Sequence, residues 1–154
     1  MYRIEFYSTK GIYGYMSNFH KSIIVVDNIE YLTSEHYFQC MKFPDANIQE
    51  RIRQMPTPMM AAQEGRKRYT GSSIECYRIR PDWEQVKNSV MEKGVLAKFT
   101  QHKDLQVQLL STGDAILIEH TRNDRYWGDG GDGSGQNWLG RTLMNVRDQL
   151  RNMQ

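Results

Sequence analysis

The chain has 154 residues, 39% of them hydrophobic and 25% charged, with a formal net charge of +2. That size is typical of one domain and long enough to bury roughly two-thirds of the unfolded surface around a core; the composition excludes a disordered chain. No apolar run approaches the roughly 20 residues that cross a bilayer, and the charge is too small for a long nucleic acid, although one or two arginines suffice for a single phosphate.

The N-terminus, Met1 to Tyr7, alternates polar and apolar residues and lacks the apolar block and cleavage site of a signal peptide, so the expected location is cytoplasmic. Strands are predicted around Ile4 and Phe6, over Ile23–Val26, and over Ile29–Tyr31 after an Asp27-Asn28 turn. Lys10 to Phe19, rich in glycine and aromatics, reads as an irregular loop. Thr33 is the predicted N-cap of a helix reaching Phe43, where Pro44 stops it. Further helices are predicted over Ile48–Met55 and from Thr57-Pro58 to about Arg68, the second with a cap followed by proline at its first position. Thr70 to Arg80 reads as a loop, and Trp83 to about Thr100 as a long helix launched by Pro81-Asp82. Asp104 is the predicted cap of a short helix ending at Leu110; a turn at Thr112–Asp114 then precedes an extended piece, Ala115–Glu119. Leu139, Leu143, Val146 and Leu150 fall at i, i+4, i+7 and i+11, the apolar stripe of a last helix. No repeat or linker divides the chain. The expected fold is α+β, a mainly helical single domain over residues 1–154 with a small N-terminal β element.

Two cysteines, Cys40 and Cys76, make no disulfide framework, and the four histidines show no His-x-x-x-His spacing, so no metal site is expected. Met55, Met59, Met60 and Met91 read as packing residues.

Three segments carry candidate chemistry. Glu35, Gln39 and Lys42, at i, i+4 and i+7, share one helix face, and His36, Cys40 and Phe43 share the next. A carboxylate, an amide and an ammonium in a row suit contacts to sugar oxygens and proton transfer; spacing alone equally fits a solvated face with a Glu–Lys pair. Apolar neighbours such as Tyr37 and Phe38 would raise a carboxyl pKa toward the range useful for acid–base work. Glu119 and Asp124 lie in or beside a turn with Tyr126 and Trp127, a pattern that serves either base binding or a charged surface turn anchored by tryptophan. Gly128 to Asn137 contains five glycines and leads into the last helix, an arrangement open to close anion approach or to a flexible loop. It is neither a Walker loop, a dinucleotide fingerprint nor an EF-hand. Gly65–Arg68 ends a helix with cations, a dipole effect or a phosphate contact, and Trp83 suits the core or base stacking.

Taken in order, Ser17-Asn18-Phe19, Thr33–Gln39 with Lys42-Phe43, Gly65-Arg66, Trp83, Lys98-Phe99, Glu119-His120-Thr121, Asp124–Gly128 and Gly135–Gly140 make the chain resemble the NADAR or YbiA-like family over nearly its whole length. The resemblance implies an N-glycosidase that splits ribose 5-phosphate from the aminopyrimidine of early riboflavin-biosynthesis intermediates. Removal of ADP-ribose from guanine bases, which would bring in nucleic acid, and nucleotide binding without cleavage are the alternatives. Within that reading Glu35, Asp124 and Lys42 are the catalytic candidates. The expected substrate-binding residues are Ser17, Asn18, Phe19, His36, Gln39, Arg66, Trp83, Glu119, Trp127, Gly128 and Asn137. No cofactor is implied, since ribosylamine bonds are already labile.

Overall fold

The computed structural model describes residues 2–69, 71 and 77–154. The chain is α+β, with strands β1 (Arg3–Phe6), β2 (Ile24–Val26), β3 (Ile29–Tyr31) and β4 (Ile116–Glu119), and helices α1 (Ser34–Met41), α2 (Ala46–Arg53), α3 (Pro58–Gly65), α4 (Trp83–Gln101), α5 (Lys103–Ser111) and α6 (Trp138–Asn152). Among the described residues, no helix is long and apolar enough to cross a membrane.

Local chemistry explains most boundaries. Thr33 accepts the His36 amide and Thr57 the Met60 amide, each cap worth about 1 kcal/mol, and Pro58 occupies the first turn of α3. Four helices differ from expectation, the first being α1, which ends at Met41 rather than Phe43. Asp45 caps α2 by accepting from Asn47 and Ile48, so the helix begins at Ala46, two residues before its first buried isoleucine. The chain leaves α3 at Gly65 rather than Arg68. Lys103 opens α5, with Asp104 inside its first turn, a position also favoured for an acid, and no side-chain cap at His102. The Lys10–Phe19 loop holds a short 3-10 turn at Gly14–Met16. Of the loop predicted over residues 70–80, residues 70 and 72–76 lie outside the described residues and 77–80 carry no regular structure.

Two small sheets organise the strands. β2 and β3 form an antiparallel hairpin through Asp27 and Asn28, both in the left-handed region. β1 pairs in parallel with β4, Arg3 opposite Ile116 and Phe6 opposite Glu119, so the β element joins the two ends of the chain. Both strands of that pair release the chain at one end, delivering Tyr7 to Thr9 and Glu119 to the same place.

Helix α1 lies between two cores. Phe38 belongs to the larger, with Ile4, Phe6, Val95, Phe99, Leu109, Leu117 and the α6 stripe Leu139, Leu143, Val146 and Leu150. Tyr37, Cys40 and Phe43 belong to the other, with Ile24, Ile48, Ile52 and Ala61. Glycines permit the close approach: a Cβ on Gly94 would meet the Tyr37 ring at 2.7 Å, and one on Gly65 the Gln39 amide oxygen at 2.0 Å. With two faces committed to cores, α1 has one left for Glu35, Gln39 and Lys42.

Candidate active site

That third face opens on a cavity of about 570 Å³. Glu35, Gln39 and Lys42 form one wall; Glu119, Asp124 and Trp127 face them from the end of β4 and the turn beyond; Ser17, Asn18 and Phe19 close a side, and Arg66 stands exposed at an edge. Residues more than eighty positions apart meet here because parallel pairing brings β4 beside β1 while α1 packs across the same end.

Glu35 and Glu119 are both raised. Burial raises Glu35 above the usual range, opposed by a 2.6 Å hydrogen bond from Gln39 and by the charges of Lys42 and Arg66, with Asp124 adding to the rise. Glu119 is pushed up to about 8, first by burial and then by the neighbouring carboxylates Asp124, Glu35 and Asp129. One of its oxygens is buried with no hydrogen-bond partner among the described residues. Burial brings the Lys42 ammonium down to about 8; Arg68 lowers it further and Glu35 opposes. The Lys42 nitrogen lies 5.8 Å from the Phe38 ring centroid.

The turn holding Asp124 is built by its own side chain, which accepts the amides of Tyr126 at 2.9 Å and Trp127 at 2.8 Å. This fixes Trp127 against Phe38, edge to face at 5.4 Å between centroids. Phe38, Trp127, Met91, Met59 and Leu139 supply the apolar lining, and the opposed carboxyls and lysine supply the polar one.

Four residues expected at the substrate do not line this cavity. His36 is fully buried, its Nε2 donating to the Met55 carbonyl and its Nδ1 accepting from Thr33, both at 2.8 Å; a helix-start polar residue at that spacing is absorbed by the α2–α3 side. Trp83 sits in the core, tilted against Phe38 at 5.1 Å, and reaches the site only through that ring. Gly128 is a close-approach position: a Cβ there would lie within 3.0 Å of Thr121, Asp124 and Glu119. Asn137, in the left-handed region, accepts the Glu119 amide and donates to the Leu117 carbonyl, both at 2.9 Å.

The glycine run is therefore a scaffold. Gly135, Gln136 and Asn137 donate to Asp129, Arg125 and Gly128, and the first amides of α6, Trp138 and Leu139, donate to Tyr126 and Trp127. Amides that were candidates for holding an anion are spent on the turn that carries Asp124 and Trp127. Asp129, buried, accepts from Thr121, Gly131 and His120 and pins the same loop.

Sequence reasoning missed Tyr7, Ser8, Thr9, Thr121 and Asn123 in the lining, and counted Met59 as packing although it is half-exposed on the cavity rim. The first three follow β1 directly. Nothing local marks them, because their place in the site depends on the pairing of β1 with β4.

Fold and cavity together define an α+β protein whose cavity sets carboxyls and a lysine beside an apolar, aromatic lining. The chain belongs to the NADAR domain family, whose model matches residues 5–151. It is 50% identical to N-glycosidase YbiA of Escherichia coli over 147 residues, covering 96% of this chain and 88% of that protein. An N-glycosidase of Nostoc punctiforme is 39% identical across 97% of this chain and 94% of its own length. A longer riboflavin biosynthesis protein of Vibrio vulnificus is 38% identical over 96% of this chain and 38% of its own length. The NMR structure of Escherichia coli YbiA superposes with a TM-score of 0.88 at 48% identity, covering 99% of this chain and 86% of that one.

Proposed function

We propose that this chain is an N-glycosidase that hydrolyses the bond between C1 of ribose 5-phosphate and the amine of the aminopyrimidine in early riboflavin-biosynthesis intermediates. The observation that carries the reading is the cavity in which Glu35 and Lys42 face Glu119 and Asp124, with Phe38 and Trp127 in the same lining. The names of the N-glycosidase and riboflavin-biosynthesis relatives support the bond type and the substrate class.

The reaction consumes one water: the C1–N bond breaks, a C1–O bond forms, and the nitrogen leaves as the free amine with one proton from water. Cleavage needs positive charge stabilised on the ribose and a proton for the departing nitrogen. Glu35 takes the acid–base role, worth typically about 10²–10⁴ in rate. Asp124 faces the developing cation, where fixed negative charge in a partly dry cavity is most effective. Glu119, with its value near 8, holds a proton at neutral pH and donates to the ring oxygen or the amine. Lys42, at about 8, is about one-tenth neutral at pH 7 and suits attack on C1 once the sugar ring opens. The pyrimidine lies against Trp127 and Phe38. Arg66 takes the phosphate, and Ser17 and Asn18 take ribose hydroxyls.

Incubation with the ribosylaminopyrimidine phosphate, with products identified by mass spectrometry, should release ribose 5-phosphate and free aminopyrimidine faster than a buffer blank. Turnover of ADP-ribosylated guanine alone would favour the other glycohydrolase reading. Tight binding of either compound without turnover would make the site a recognition pocket and end the enzymatic proposal.

A further inference from the structure

Lys98, in the last turn of α4, is 1% exposed, and its ammonium faces two backbone carbonyls, Tyr15 at 2.5 Å and Ser17 at 2.9 Å. No salt-bridge partner meets it among the described residues. A buried cation without a counter-charge is costly, and that cost offsets much of what its two carbonyl hydrogen bonds contribute. Fold stability is a poor reason to keep a lysine here.

The carbonyls it holds belong to the turn that runs directly into Ser17, Asn18 and Phe19 on the cavity wall. The same helix grips that segment a second time. Met91, two turns before Lys98, accepts the Asn18 amide at its sulfur at 3.1 Å. Asn18 then reaches α1: its side-chain oxygen accepts the Ser34 hydroxyl at 2.9 Å, and its backbone carbonyl accepts the Glu35 amide at 3.3 Å. A continuous path runs from the Lys98 ammonium, through residues 15–18, to the first turn of the helix that carries Glu35.

We infer that Lys98 is a positioning residue: by clasping the Tyr15 and Ser17 carbonyls it holds the Ser17–Phe19 wall in the form that receives the ribose phosphate. Inward-turned carbonyls at 15 and 17 leave the Ser17 and Asn18 side chains directed at the cavity and at α1. Without the ammonium those two carbonyls are buried and unsatisfied, and the turn rotates to recover partners, displacing the wall. Lys98 does not touch the ligand. Its loss acts on binding before chemistry.

The inference rests on the N-glycosidase reading of the cavity for the identity of the ligand, and ribose 5-phosphate, the expected product, is the probe. Lys98→Met keeps the side chain's length and removes the charge. Its melting temperature should fall by no more than about 5 °C, the removed charge offsetting part of the cost of two carbonyls left without a donor, while the Kd for ribose 5-phosphate, measured by calorimetry, weakens at least about tenfold. For the ribosylaminopyrimidine phosphate, KM should rise by a similar factor with kcat within about threefold. Lys98→Arg, which can still donate to both carbonyls, should recover most of the affinity.

A folded Lys98→Met protein with unchanged Kd, or with reduced kcat at unchanged KM, overturns the inference. If that variant does not fold, Lys98→Gln, which keeps one amide donor, is measured instead. Failure of both to fold would make Lys98 a fold determinant and equally overturn it. The binding arm needs no turnover, so a wild type that binds ribose 5-phosphate but cleaves nothing sinks the catalytic reading alone.

Discussion

Gln39 stands one helical turn beyond Glu35 on α1 and donates its side-chain amide to the Glu35 carboxylate at 2.6 Å, while its own amide oxygen is buried without a partner among the described residues. The bond opposes the burial that lifts the Glu35 pKa, because it favours the ionised form. Gln39→Leu should therefore move the limb of the kcat/KM profile that reports Glu35 to higher pH. A limb that stays in place or moves to lower pH would show that this bond does not tune Glu35.

Glu119 links the site to stability. Its folded value of about 8 lies above the unfolded value of 4.5, so the folded state holds the proton more tightly. The stability from that proton is complete below pH 4.5 and is lost as pH rises through 8. Glu119→Gln removes the loss: its unfolding free energy in chemical denaturation should gain on the wild type as pH rises from 5 to 9, by about 1–3 kcal/mol at the upper end. A constant difference across that range would mean that Glu119 titrates normally.

Lys42 is desolvated and depressed to about 8, the condition for amine chemistry rather than for a simple charge contact. Lys42→Arg should be as inactive as Lys42→Met, each losing at least about a hundredfold in kcat/KM. Borohydride added during turnover should leave the sugar phosphate attached to Lys42 in a tryptic map. Substantial activity in the arginine variant, with no adduct, would assign Lys42 to holding sugar oxygens.

His36, buried with both ring nitrogens hydrogen-bonded, holds α1 to the end of α2. His36→Leu leaves the Met55 carbonyl and the Thr33 hydroxyl without their partner and should cost about 2–4 kcal/mol in chemical denaturation. KM of the folded fraction should change less than about threefold. A large KM change without loss of stability would return His36 to the binding site.

Signals confined to a few neighbouring residues were legible in the sequence. The Thr33 cap, the Thr57-Pro58 start and the Leu139–Leu150 stripe each report their own helix, and the row Glu35, Gln39 and Lys42 is read from helical spacing alone. What was lost depends on partners distant in the chain. Parallel pairing of Arg3–Phe6 with Ile116–Glu119 has no local turn to announce it, so Tyr7, Ser8 and Thr9 had no site to line. His36 and Trp83 have chemistry that suits either core or ligand, and only packing separates the two. The glycine run was visible as backbone freedom, but not the carbonyls of Tyr126 and Trp127 that take up the amides entering α6. Lys98 stood out only through the Lys98-Phe99 match, and its burial in the last turn of α4 has no local signal.

The central claim is that the face of α1 turned to the cavity breaks the ribose C1–N bond through Glu35. Steady-state kinetics of Glu35→Gln on ribosylaminopyrimidine phosphate, with melting temperature and ribose 5-phosphate affinity measured alongside, test it most directly. The account predicts an intact fold, product binding within about threefold of wild type and kcat lower by about 10²–10⁴. A folded glutamine variant that releases ribose 5-phosphate at the wild-type rate would contradict it.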